Sequence, residues 1–256
     1  MSRQETVELP EAPTRLVLNV PSGRAEIRQS EDDAVHVSID GDRAEDVVVS
    51  ASGDTVTIRH DPPQGQWGIG RLRFDIRIPV GMDLDFRSAS LNLRSTVDLG
   101  SVDAATASGN LRFESVGSLT AKTASGDLRV GDVHGDVRAK SASGDLKVKA
   151  IGKDLAANTA SGDIAVEEVG GRVDVKTASG DIRIESFSGT ELAVKTVSGN
   201  TSVSVPPGTT ADLDLNSLSG NIRLPKGPAS EVDPSDRVRR RLRFRSVSGD
   251  FRLRVG

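Results

Sequence analysis

The sequence predicts an all-β fold: a parallel β-solenoid of about 18 residues per coil, made of two nine-residue halves and preceded by a less regular β region that continues and caps it. Three observations carry this prediction. First, a phrase of the type TASGD or TVSGN places its glycine at Gly109, Gly126, Gly144, Gly162, Gly180 and Gly199, with spacings of 17, 18, 18, 18 and 19 residues. Looser copies follow at Gly220 and Gly249. Second, glycines also fall nine apart, at Gly126, Gly135 and Gly144 and again from Gly162 to Gly189, so each unit has two similar halves. Third, the apolar residues between the glycines step by two, the alternation of a strand with one buried face. A helical repeat is a poor fit, because each of these glycines would weaken a helix by about 1 kcal/mol.

The unit length sets the coil. Nine extended residues span at most about 30 Å and cannot close around side chains, whereas 18 make two short strands and two bends. A lone coil orders too many residues for the few side chains it buries, so it stands only when stacked about 4.8 Å from the next. Stacking aligns six apolar columns. Three come from the first half: the column from Leu111 through Leu128, Leu146 and Ile164 to Ile182, and those beginning at Phe113 and Val116. Three come from the second half: columns beginning at Leu119 and Ala121, and a sixth of Ala124, Ala142, Ala160, Ala178 and Val197.

Residues 1–80 lack the repeat but alternate over 15–20, 34–39, 55–58 and 72–78, and so form strands. Ser22-Gly23 and Ser52-Gly53-Asp54 echo the repeat phrase, so this region is expected to continue the same sheets and to cap the exposed strand edges of the first coil. Within it, residues 61–71 (DPPQGQWGIGR) form a loop whose Trp67 is a candidate binding anchor or a lid over a hairpin base. Residues 81–256 form the solenoid proper. Its first rung, 88–94 (SASLNLR), is degenerate, with Leu91 where a glycine is due.

On the outer face Asp127, Asp145, Asp163 and Asp181 form one column, with Arg112, Arg129, Lys147 and Arg183 two residues along. This is a solvated charge ladder, with Ser, Gly and Asp shaping the turns. An inserted loop at 225–236 (PKGPASEVDPSD) stretches the glycine spacing to 29. After it, Arg237, Arg239, Arg240, Arg241, Arg243 and Arg245 crowd one segment and are candidates for a polyanion, membrane-surface or partner contact. Half of them are also explained as the outer face of the last strands.

Composition limits the chemistry. The formal charge is −4, from 33 basic and 37 acidic residues, which gives no reason to expect sequence-specific nucleic-acid binding. There is no cysteine, which excludes thiol nucleophiles, disulfides and cysteine-ligated metals. His36, His60 and His134 lie in unrelated contexts without metal-ligand spacing. A serine in every rung with no matching histidine column is structural. Calcium-binding nonapeptide solenoids carry more turn ligands than this chain, so neither metal nor cofactor is expected. There is no signal peptide and no apolar stretch near the roughly 18 residues of a membrane span, so the expected location is the cytoplasm.

The repeated TASGD units, the phrase ASGDTVTI at 51–58 and the phrase DIRIPVGMDLDFRSAS at 75–90 together resemble the bacterial putative-adhesin β-solenoid family, the toastrack-type domains. The resemblance covers roughly residues 14–256. It implies no catalytic residues to carry over, and members are often joined to membrane segments or to envelope stress signalling. The expected function is a non-enzymatic structural or protein-interaction scaffold that binds an unknown protein or its own copies. One alternative is a polysaccharide-binding or polysaccharide-processing β-helix, which should show aromatic platforms, although aromatics are only 3% of the chain. The other is an end-to-end polymer like bactofilin filaments, expected because no sequence remains to cover the edge of 251–255 (FRLRV).

Overall fold

The structure, a computed structural model, describes residues 2–7, 12–62, 71–225 and 239–256. It is built of β-strands, with one short 3-10 turn at Ala44–Asp46 among the described residues. Trp67, Arg237 and nearly all of the 225–236 insertion lie outside them. The chain divides into two compact units, Met1–Gly131 and Asp132–Gly256. Among the described residues no helix is long and apolar enough to cross a membrane.

In the first unit Arg15–Asn19 and Ser22–Gln29 form one coil lying between two others. On one side Arg15–Asn19 pairs in parallel with Thr55–His60 and on the other with Asp83–Ser88. Ser22–Gln29 likewise lies between Leu72–Ile78 and Ser90–Ser95. The register stacks Leu16 on Val56 and Leu84, and Leu18 on Ile58 and Phe86, all of them buried. The early β region thus joins the solenoid sheets directly. It also caps them, because Val35–Gly41 runs antiparallel along Leu72–Ile78 and is itself covered by Ser2–Val7. Val47–Ser52 closes Thr55–His60 in the same way. Leu99–Thr106 and Leu111–Thr123 continue the stack on the far side.

The second unit repeats one register on two faces. Val137–Ser141, Leu155–Thr159, Val173–Lys176 and Glu191–Lys195 stack in parallel on one face. Leu146–Ile151, Ile164–Val169, Ile182–Phe187 and Thr201–Val205 stack on the other. The first five predicted columns are buried throughout, for example Leu146, Ile164 and Ile182 at 2–5% exposure.

The sixth column is a correction. Ala124, Ala142, Ala160 and Ala178 are exposed, and Val197 is 51% exposed. Strict alternation instead carries the preceding Thr or Ser inward. Thr106, Thr177 and Thr196 are buried, and Thr123, Ser141 and Thr159 are half-buried. Their hydroxyls accept the N–H of the glycine three residues on, at 2.8–3.0 Å. The apolar residue that follows sits on the outside of the bend, where its carbonyl accepts the turn amides of the next coil: Ser161 and Ser179 donate to Ala142 and Ala160.

The glycine serves close approach rather than an unusual dihedral. Left-handed φ values occur at Gly23, Gly41, Gly53, Gly81 and Gly208, none of them a repeat glycine. A Cβ on Gly126, Gly162, Gly180 or Gly199 would instead lie 2.0–2.1 Å from the carbonyl oxygen of the glycine one coil below. The coils can touch there only without side chains.

All six phenylalanines, Phe74, Phe86, Phe113, Phe187, Phe244 and Phe251, are fully buried, so the core is aliphatic with aromatic fillers. The final strand differs more. Phe251–Val255 lies between Thr201–Val205 and Ile222–Arg223, and Arg239–Ser246 lies between Glu191–Lys195 and Thr210–Ser217. The last coil in sequence is therefore the second to last in space. The edge that motivated the filament expectation is thus covered along Phe251 and Arg252, and the outermost described strands at this end are Thr210–Ser217 and Ile222–Arg223.

Three substitutions check this packing. Gly162→Ala should destabilise by about 1–3 kcal/mol through overpacking, while Ser161→Ala, on the exposed side of the same turn, stays within about 0.5 kcal/mol. Val148→Asp, which buries a lone carboxylate, should cost about 3–5 kcal/mol. Denaturant titration measures all three, and an unperturbed Gly162→Ala would remove the close-approach argument.

Candidate functional site

The acidic column of the repeat phrase has a definite task. Asp145 Oδ1 accepts the backbone N–H of Asp163 at 3.0 Å, Asp163 that of Asp181 at 2.8 Å, and Asp181 that of Asn200 at 2.8 Å. Asn200 and Asp250 extend the series to Asp250 and Asn221, and in the first unit Asn92 and Asn110 serve Asn110 and Asp127. Asp136 and Asp154 form a second series with Asp154 and Arg172. The side chain thus clamps each coil to the next. Asn can replace Asp because only the carbonyl-type oxygen is used. Repulsion along the column is offset by cations two residues on: Asp127 pairs with Arg129 at 3.1 Å and Asp145 with Lys147 at 3.9 Å. Arg183 pairs with Glu185 at 3.0 Å instead.

The arginine segment is a strand, Arg239–Ser246, with alternating exposure. Arg239, Arg241 and Arg245 are exposed and Arg243 is half-buried. Its parallel neighbour Thr210–Ser217 brings Asp212 beside Arg241 and Asp214 beside Arg243. Arg241 Nε lies 3.7 Å from Asp212, Arg243 Nε 3.2 Å from Asp214, and Arg245 Nη2 3.7 Å from Asp214. Three of the candidate polyanion contacts are therefore already held by carboxylates.

Arg240 faces the other way. It shares the inward face with Leu242 and Phe244 and is 6% exposed. Its Nη1 donates to Thr209 Oγ1 at 2.8 Å and its Nη2 to the Ser188 carbonyl at 3.2 Å, while Nε is shielded from solvent with no acceptor among the described residues. Desolvation by burial lowers its pKa from the ordinary arginine value. A cleft of about 250 Å³ opens beside it, lined by Thr190, Glu191, Asp212, Arg239, Arg240 and Arg241. The sequence signal for this arrangement is the +2 step from Arg240 to Leu242 and Phe244, which marks Arg240 as inward. Thr190, Thr209 and Ser188 carry no signal of their own. No group of His, Asp and Glu among the described residues is arranged to hold a metal ion.

A family model described as Toastrack DUF4097 matches residues 14–254. Solved structures align with the chain over nearly their whole length at low identity. A putative adhesin from Parabacteroides distasonis is 12% identical, with 99% of this chain and 97% of that one covered and a TM-score of 0.45. A protein from the same organism described as a putative lipid binding protein is 15% identical, with 97% and 96% covered and a TM-score of 0.46. A putative adhesin from Bacteroides fragilis is 10% identical, with 98% and 97% covered and a TM-score of 0.44. No curated protein matches the sequence.

Two tests follow from this geometry. Asp163→Asn should leave stability within about 0.5 kcal/mol, whereas Asp163→Ala should lose about 0.5–1.5 kcal/mol with the clamp. Equal losses would show that charge rather than the accepting oxygen matters. Freeing the arginines by Asp212→Asn with Asp214→Asn should increase salt-sensitive retention on heparin relative to the native chain. Unchanged retention would mean that these carboxylates do not mask the strand.

Proposed function

The chain belongs to the Toastrack DUF4097 family, and on that premise we propose that it is a non-enzymatic interaction scaffold whose regular outer faces bind another protein or further copies of itself. One observation supports this above the others: the polar side chains of the repeat phrase are engaged with backbone. The Thr or Ser hydroxyl holds the turn glycine, and the Asp or Asn oxygen holds the next coil. The Thr, Ser and Asp side chains that recur in every rung are used to keep the coils in register. What a partner meets is a set of charged columns at constant spacing, suited to polar contacts repeated along the stack.

The polysaccharide alternative receives less support. Sugar-binding grooves use exposed aromatic rings, and all six phenylalanines are buried in the core. For self-association, the strand to consider is Thr210–Ser217 rather than Phe251–Val255, since it has one strand neighbour among the described residues.

Cross-linking mass spectrometry in the native host should place links from the exposed Lys147, Lys176 and Lys195 to a common partner or to a second copy. Light scattering over a hundredfold concentration range should separate those two outcomes. Links scattered over unrelated proteins, or release of sugars from polysaccharide by the purified chain, would overturn the scaffold reading.

A further inference from the structure

Arg240 is the one feature of the last coil that solenoid packing does not account for. Its position in the inward row is filled in the neighbouring strands by Thr190 and Ala211, neither of which offers a charge. A guanidinium presents five N–H groups in a rigid fork. Two contacts are made, to Thr209 and Ser188, so N–H groups remain, Nε–H among them. A buried cation without a counter-charge is strongly unfavourable, and an anion with matching acceptors is what relieves it.

The surroundings fit that complement. The carboxylates at the cleft are both committed: Glu191 pairs with Arg172 at 3.3 Å and Asp212 with Arg241 at 3.7 Å. Arg239 and Arg240 are left as two positive charges without an ion-pair partner among the described residues. Thr190 supplies a hydroxyl on the cleft wall. A volume of about 250 Å³ admits one small oxyanion together with part of whatever carries it.

We propose that the cleft beside Arg240 binds a phosphate-type oxyanion, inorganic phosphate or a phosphate monoester, with Arg240 as the buried anchor and Arg239 and Thr190 at the rim. The site differs in kind from a polyanion face. It recognises one tetrahedral group through a guanidinium already stripped of water and held by Thr209, and it does not depend on the scaffold reading. Phosphate is favoured over a carboxylate because it offers more acceptor oxygens to the donors of Arg240, Arg239 and Thr190.

The test is a titration of the full chain with inorganic phosphate and, separately, with glycerol 3-phosphate, at ionic strength held constant with sodium chloride. Melting temperature and the Arg240 Nε–H resonance are followed together, the resonance being assigned with Arg240→Lys. Saturable binding at or below about 1 mM, with a shift of that resonance, is the expected result. Arg240→Gln should weaken binding at least about tenfold and Arg239→Gln by about threefold. Tighter binding of the ester would identify a phosphorylated molecule as the source, and tighter binding of phosphate the free ion. If Arg240→Gln does not fold, the resonance in the native chain decides alone. A response no larger than that to sodium chloride, or an Arg240 signal unmoved at saturation, would overturn the proposal.

Discussion

Everything in this fold depends on the contact between one coil and the next. A parallel stack has a fixed spacing of about 4.8 Å, and backbone hydrogen bonds between the coils must be made at every turn as well as along the strands. Turns are where such stacks are weakest. Here three residues of one phrase act on the same spot. The glycine lets carbonyl and Cα approach where a Cβ on Gly180 would lie 2.0 Å from the Gly162 oxygen. The Thr or Ser three residues earlier satisfies the glycine N–H, and the Asp that follows reaches across to the next coil. Repetition of the phrase is thus repetition of one joint.

That joint explains why so polar a sequence makes so dry a core. Inward positions carry Leu, Ile, Val, Ala and the six Phe, and the polar groups turned inward beside them are chiefly Thr and Ser hydroxyls with a backbone partner close by. Outward positions carry charge of both signs at short separations, such as Asp127 with Arg129. These exposed pairs contribute little to stability, about 0–1 kcal/mol each, but they remove the repulsion a carboxylate column would otherwise bear.

Each unit closes one end of its own stack in its own way. In Met1–Gly131 the outer coil is closed by antiparallel strands, and the first coil in sequence lies one layer inside it. In Asp132–Gly256 the last coil slips between Glu191–Lys195 and Thr210–Ser217. This burial of the final coil turns Arg240 from a surface arginine into an enclosed one, and it brings Asp212 and Asp214 alongside Arg241, Arg243 and Arg245. A segment rich in arginine thereby becomes a strand in which Arg241, Arg243 and Arg245 face carboxylates, while Arg239 and Arg240 have no ion-pair partner among the described residues.

The sequence by itself determined the solenoid, its coil length and five of its six columns, because a period of 18 with alternation of two leaves few other ways to bury Leu146, Ile164 and Ile182 together. It also marked the turn phrase, although the task of each residue in it was hidden. Ala142 and Ala160 counted as core by being apolar, when the bend turns them outward and strict alternation hands the place to Ser141 and Thr159. Only the tertiary structure decided the order of the final coils, since strands 191–195, 210–217 and 239–246 all carry the same alternation and periodicity cannot say which lies between the others. The environment of Arg240 follows from that order. Its neighbours Ser188 and Thr209 come from 52 and 31 residues away, a juxtaposition set by which coil stacks on which rather than by any local pattern.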